Sequence, residues 1–269
     1  MWGVNGYRPA CQGSGAVPLC RGMICRMTPL RVVTYNIHKG VQGLGPTRRL
    51  EIHNLSRAVQ GFDADIVCLQ EVRRFHRKLQ QHFEHWPAHG QASFLAPQGY
   101  EAVYQTNAVT RHGEHGNALL SRWPVLQTGH HDVSDHRFEQ RGLLHVVLQV
   151  ARRPLHVVVV HLGLIHASRE RQVQRLGRFL AREVPAGEPL LVAGDFNDWG
   201  VRLHGPMAEL GLHTFEHMRL PTYPARLPLL QLDRVYARGL RPMSAHVPGG
   251  QGWTRWSDHL PLIAELALD

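Results

Sequence analysis

One layout occurs twice in this chain, and that repetition constrains the fold more than any other feature. Arg31–His38 (RVVTYNIH) reads as a strand whose buried run stops at Asn36; a helical stretch follows over 48–60, and Asp65–Glu71 (DIVCLQE) returns as a strand ending in an acid. Leu155–His161 (LHVVVVH) is again a strand with a polar end, a helix crosses over 168–183, and Leu190–Asp195 (LLVAGD) closes on an acid. Such crossovers join parallel strands with one hand, so each unit sets its two terminal polar residues at the same end of a sheet. In open α/β sheets that end is where side chains leave the packed layer and meet ligand. The layout predicts one site shared by Asn36, Glu71, His161 and Asp195. Asp195 by itself is equally compatible with capping the turn after its strand, where Asn197 and Asp198 follow.

Between the two units the pattern changes to short strands at 100–105, 116–122, 125–133 and 143–151, separated by Gly, Pro and Asn at the close spacing of hairpins. Parallel units flanking antiparallel strands predict an α/β (α+β) fold, a four-layer αββα sandwich with two mixed sheets face to face and helices outside. The helix over 168–183 buries Val173, Leu176, Leu180 and Val184 and turns Arg169, Arg171, Arg175, Arg178 and Arg182 elsewhere. Residues 73–97 hold basic, histidine and aromatic residues without a period and read as a surface loop, either a groove wall with Trp86 for stacking or a solvated basic face. His112 and His115, in HGEHGN, form a weak metal pair on a loop. Asp233, at the centre of a strand over 231–237, faces inward by alternation and needs a partner. The run Ser257, Asp258, His259 before the last strand supplies one.

At 269 residues the chain can bury a sizeable core, and no apolar run approaches the roughly 20 residues of a membrane helix. A net charge of +9 with 20 further histidines favours an anionic partner: nucleic acid, a phosphorylated metabolite or an anionic lipid. Residues 1–26 contain three of the four cysteines and no acid, and read as a disordered extension ahead of a domain over 27–269. With one cysteine left for the domain, a disulfide framework is excluded and a reducing cytoplasm is the default.

Six motifs in order, TYN (34–36), LQE (69–71), VHLG (160–163), GDFND (194–198), LDRVY (232–236) and SDH (257–259), make residues 28–268 resemble the endonuclease/exonuclease/phosphatase superfamily. Within it the chain is most similar to a branch of small bacterial proteins, some encoded beside a cardiolipin synthase. The resemblance implies the four-layer sandwich and a Mg²⁺ ion, with Mn²⁺ as substitute, held by Glu71 with Asn36 and Asp258. It implies that Asp195, steadied by Asn197, orients or deprotonates the attacking water. His259, paired with Asp233, would contact the scissile phosphate, and His161 would donate a proton near the leaving oxygen. His38, Asn117 and Arg141 are expected substrate contacts. His38 stands where apurinic endonucleases carry a carboxylate, a departure that weakens an abasic-site reading. The expected function is a Mg²⁺-dependent phosphodiesterase, first a nuclease with Arg73, Arg74, Arg77, Arg111 and Arg141 as phosphate contacts. The alternatives are a phospholipid-headgroup or sugar-phosphate hydrolase and, in another class, a catalytically silent protein that binds nucleic acid or anionic membrane.

Overall fold

The computed structural model describes residues 29–268; the expected extension, 1–26, lies outside them. The first unit is β1 (Leu30–Asn36), a ribbon of β2 (Val41–Gln42) and β3 (Arg49–Leu50), α1 (Ile52–Gly61) and β4 (Ile66–Val72). β1 and β4 are parallel, with Asn36 opposite Gln70. The helix starts at Ile52 rather than 48, because Arg49 and Leu50 pair with Gln42 and Val41.

The expected loop over 73–97 instead contains α2 (Arg77–His82) and α3 (Gln91–Leu95). His76 caps α2, its Nδ1 accepting the Leu79 N–H at 3.2 Å, and Leu79, Ala92 and Leu95 are buried. Helices of five and six residues are too short for an apolar period to show.

Four strands follow, β5 (Glu101–Thr110), β6 (Gly113–Ser121), β7 (Val125–Asp132) and β8 (Gly142–Val150), and both neighbouring pairs are the expected hairpins. The second unit is β9 (Arg153–His161), α4 (His166–Glu183) and β10 (Leu190–Asp195), its strands again parallel. The chain ends with α5 (His204–Glu209), β11 (Asp233–Arg238), β12 (Leu240–His246), α6 (Trp253–Trp256) and β13 (Leu262–Leu268). Asp233 therefore opens its strand instead of lying at its centre.

One sheet runs β12-β13-β1-β4-β6-β5 and the other β11-β10-β9-β8-β7. Strand alternation sorts the residues into layers. Val32, Ile66, Cys68, Val157, Val159, Leu191 and Ala193 meet between the sheets. Val33, Tyr35, Val67 and Leu69 pack outward against Ile52, Leu55 and Val59 of α1. Val158, Val160 and Val192 pack against Val173, Leu176 and Leu180 of α4. The architecture is the four-layer αββα sandwich, and among the described residues no helix is long and apolar enough to cross a membrane.

Not every arginine of α4 faces away. Arg169 is buried, its Nη1 donating to the carbonyls of Gly163 at 3.1 Å and Leu164 at 2.6 Å. It ties the loop after β9 to the helix, a use invisible to apolar periodicity.

Gly194 sits one residue before the end of β10 at φ +153, and a Cβ there would lie 1.9 Å from the Val160 carbonyl oxygen. Backbone cannot yield as a flexible side chain would. Gly194→Ala is therefore expected to cost about 3 kcal/mol of unfolding free energy in a denaturant titration. An unchanged midpoint would contradict the close approach of β9 and β10.

Candidate active site

The centre of the site is a row across three adjacent strands. Asp195, the last residue of β10, is in register with His161 of β9 on one side and Asp233 of β11 on the other. Asn36, ending β1 of the opposite sheet, reaches across to the row, its Nδ2 donating to Asp195 Oδ2 at 3.1 Å. The other oxygen, Oδ1, accepts the Asn197 N–H at 2.9 Å. His259 follows in the loop before β13, its Nδ1 2.8 Å from Asp233 Oδ2. Its Nε2 is 3.7 Å from Asp195 Oδ2, and His161 Nε2 is 3.6 Å from the same oxygen. These last two distances exceed hydrogen-bond length. One buried carboxylate oxygen thus faces two imidazole nitrogens without being closed off by either.

Burial and charge set the two rings apart. Desolvation alone would strip the proton from His259, but the Asp233 and Asp195 carboxylates outweigh it and raise its pKa to about 10. Burial, reinforced by the Arg141 guanidinium, pushes His161 well below the ordinary imidazole value. Asp195 is raised by burial to about 6, the nearby imidazolium of His259 opposing the rise. At neutral pH the resting site holds an ionised Asp195, a protonated His259 and a neutral His161.

A second cluster lies at the end of β1 and β4. Glu71 Oε2 is 2.6 Å from Lys39 Nζ, and Asp258 Oδ2 is 3.1 Å from His38 Nδ1. Burial would raise the Glu71 pKa, yet Lys39, His161 and His38 together hold it well below the carboxylate range. The same balance, burial opposed by His38 and His259, lowers Asp258. The turn that delivers Lys39 and His38 is conformationally expensive. His38, Lys39 and Gly40 have φ of 45°, 62° and 67°, and Glu71 itself has φ 57°. Buried Gln91 holds the turn, its Nε2 donating to the Lys39 carbonyl at 2.7 Å and its Oε1 accepting the Arg73 N–H at 2.8 Å.

Two groups of residues here offer metal ligands. Asn36, Glu71 and Asp258 present hard oxygen donors suited to Mg²⁺, and Lys39 and His38 already sit on the two carboxylates. Asp195, Asp233 and His259 also bring ligand atoms within 4.8 Å of one another. A metal-ligating imidazole must be deprotonated at the ligating nitrogen, whereas His259 keeps its proton and shares Nδ1 with Asp233. The first group fits a divalent ion better.

The match to known proteins follows this geometry. The Endonuclease/Exonuclease/phosphatase family model matches residues 33–259, a span that begins in β1 and ends on His259. The chain belongs to the endonuclease/exonuclease/phosphatase family. It is 40% identical over 246 residues to the uncharacterised protein YbhP of Escherichia coli strain K12, covering 88% of this chain and 96% of that one. In fold it resembles the endonuclease/exonuclease/phosphatase of Beutenbergia cavernae, with TM-score 0.68, 21% identity, and 90% and 72% of the two chains covered. It also resembles a mannosyl-6-phosphatase of Bacteroides thetaiotaomicron, with TM-score 0.67, 17% identity, and 88% and 99% covered.

On this family scaffold the eight expected catalytic and metal residues come together, and the three expected substrate contacts divide. His38 faces Asp258. Asn117 is fully buried, its Nδ2 donating to the carbonyls of Gly142 at 3.0 Å and Val159 at 3.1 Å; among the described residues Oδ1 has no partner and is its one free group. Arg141 donates from Nε to the Leu162 carbonyl at 3.1 Å and from Nη2 to Glu139 at 3.1 Å, so it braces the loop after His161. Asn197 Nδ2 donates to that same carbonyl at 3.0 Å. Asp198 turns away to accept the N–H groups of Arg202 and Leu203. His112 and His115 part company. His112 lies against His76, while His115, on β6 two residues before Asn117, is close enough to feel Glu71, and burial pushes its pKa down to about 4.

Sequence reasoning missed Lys39, Tyr223 and Trp199. The Tyr223 ring lies 4.9 Å from that of His259, and Trp199, 56% exposed, lies 6.4 Å from Tyr223. None belongs to a periodic segment. The available signals were a tryptophan directly after GDFND and a lysine three residues beyond Asn36.

Proposed function

We propose that this chain is a divalent-metal-dependent phosphodiesterase acting on nucleic acid. The observation that carries the reading is the buried Asp195 carboxylate standing open between a neutral and a protonated imidazole. Asp195, held by Asn36 and the Asn197 N–H, orients a water and takes its proton as the water attacks phosphorus. His259, fixed through Nδ1 by Asp233, presents a protonated Nε2 that stabilises charge on the phosphate oxygens and can return a proton to the leaving oxygen. His161 carries no spare proton at neutral pH, so its expected role as the acid passes to His259, and the neutral ring orients groups within hydrogen-bond reach. Asn36, Glu71 and Asp258 would hold Mg²⁺ or Mn²⁺, which when bound supplies positive charge to the phosphate. The aromatic shelf of Tyr223 and Trp199 beside His259 favours a substrate with a flat base to stack.

A hydrolysis panel tests this reading, with single- and double-stranded DNA, RNA, glycerophosphodiesters and phosphomonoesters each assayed with and without chelator. Chelator-sensitive cleavage of a polynucleotide is the expected result. Turnover confined to glycerophosphodiesters would transfer the reading to lipid headgroups, and inertness on the whole panel would leave a binding protein.

Glu71→Gln keeps the shape of the side chain and removes the charge that attracts the metal. Mn²⁺ affinity is expected to fall at least about tenfold by calorimetry, an effect of the size of one charge–charge contact near a surface. Equal affinity in variant and parent would move the metal to the Asp195, Asp233 and His259 group.

The pH profile of kcat follows from the two shifted groups. Asp195 must be ionised, so activity rises with pH through about 6. His259 must be protonated, so activity falls again through about 10. Because the groups interact, the two limbs report the cluster as a whole. Activity that instead stays level through pH 10 would show that a protonated His259 is not required.

A further inference from the structure

We propose that a cavity of about 230 Å³ beside Glu71, lined by Arg73, Arg74, His89, Ser93 and Tyr104, is an anion subsite that takes a second phosphate of the substrate. The inference rests on the phosphodiesterase reading and deepens it: the scissile phosphate does not arrive alone.

No acidic side chain lines the cavity. Arg73 is half-buried, and among the described residues no carbonyl or carboxylate accepts a hydrogen bond from its guanidinium. The carboxylate of Glu71, two residues before it, is already held by Lys39 at 2.6 Å. Arg48 lies close enough to add repulsion. A guanidinium kept partly out of water and beside like charge, without an anionic partner of its own, costs free energy that an arriving anion would offset. Arginine's planar fork suits phosphate oxygens in particular.

The placement is also specific. Arg73 follows Glu71 by two residues, and its N–H is held by Gln91 Oε1 at 2.8 Å while Gln91 Nε2 holds the Lys39 carbonyl at 2.7 Å. One buried glutamine thus fixes the cavity wall and the turn carrying Lys39 as a unit. A phosphate seated on Arg73 would be tied in position to the one at Glu71. The second phosphate is either the next phosphodiester of a polynucleotide or a terminal phosphomonoester.

Steady-state kinetics on TpT, TpTpT and 5′-phosphorylated pTpT separate these sources. The parent protein is expected to favour substrates with a second phosphate over TpT by about tenfold in kcat/KM, and Arg73→Met to abolish that ratio, with Arg73→Lys retaining part of it. Loss confined to pTpT identifies a terminal phosphate, and loss on TpTpT a backbone phosphate. Calorimetric titration of inorganic phosphate into the metal-free full-length protein reads the subsite independently of turnover. Affinity is expected to fall about tenfold in Arg73→Met. If no substrate is cleaved but phosphate binding still depends on Arg73, the phosphodiesterase reading fails and the anion subsite stands. Equal phosphate affinity and an equal substrate ratio in the parent and in a folded Arg73→Met overturn the subsite.

Discussion

Asp195→Asn is expected to lower kcat by about 10³-fold, within the range by which a positioned general base accelerates a reaction. The substitution preserves volume, and Oδ1 can still accept the Asn197 N–H. The new NH₂ then takes the place of Oδ2 and faces the Asn36 Nδ2 that used to donate to it at 3.1 Å. Two donors would oppose each other in a buried place, so a loss of about 1 kcal/mol of stability accompanies the kinetic effect. A second readout isolates the charge. Asp195 is one of the three carboxylates that raise the His259 pKa, so the His259 titration, followed by NMR, should move to lower pH in the variant. A folded Asp195→Asn protein that keeps more than a tenth of its activity would remove Asp195 from the chemistry.

The pair Asp233 and His259 is expected to behave as one unit. Asp233 Oδ2 has His259 Nδ1 as its partner at 2.8 Å, and among the described residues Oδ1 is buried without one, so the carboxylate acts on the site chiefly through the ring. Asp233→Asn removes the charge that holds the imidazole's proton and leaves a single, neutral oxygen to accept from Nδ1. His259→Ala removes the ring itself. Each single change is expected to cost about 10²-fold or more in kcat, and the double variant little more than either, because groups that act together are non-additive. Stability need not follow activity. A buried ion pair is weak evidence of stabilisation, and the double variant, which leaves neither charge unpaired, should melt above the more damaged single variant. Losses that multiply in the double variant would show that the two residues serve separate steps.

How much of this was legible before folding differs from element to element. The two strand–helix–strand units, the hairpins between them and the layered sandwich follow from apolar periodicity, because burial on both faces of a strand and one face of a helix writes itself into residue spacing. Asn36, Glu71, His161 and Asp195 were legible for the same reason, as polar residues at the ends of apolar runs. The short helices over 77–82 and 91–95 were not, since one or two turns carry no period. Nor was Arg169, whose long side chain was expected to turn away from the buried face and instead donates to two loop carbonyls.

Tertiary structure alone decided the rest. Sequence placed Lys39 three residues from Asn36, but only the left-handed turn through His38, Lys39 and Gly40 brings its ammonium onto Glu71, and a chain of single φ values cannot be read from residue types. Arg141 and Asn117 have the composition of substrate contacts, and packing assigned most of their donors to backbone carbonyls. The division of labour between His161 and His259 is likewise absent from the sequence. Both are histidines near strand ends; burial leaves His161 neutral, and the carboxylates brought against His259 keep it charged.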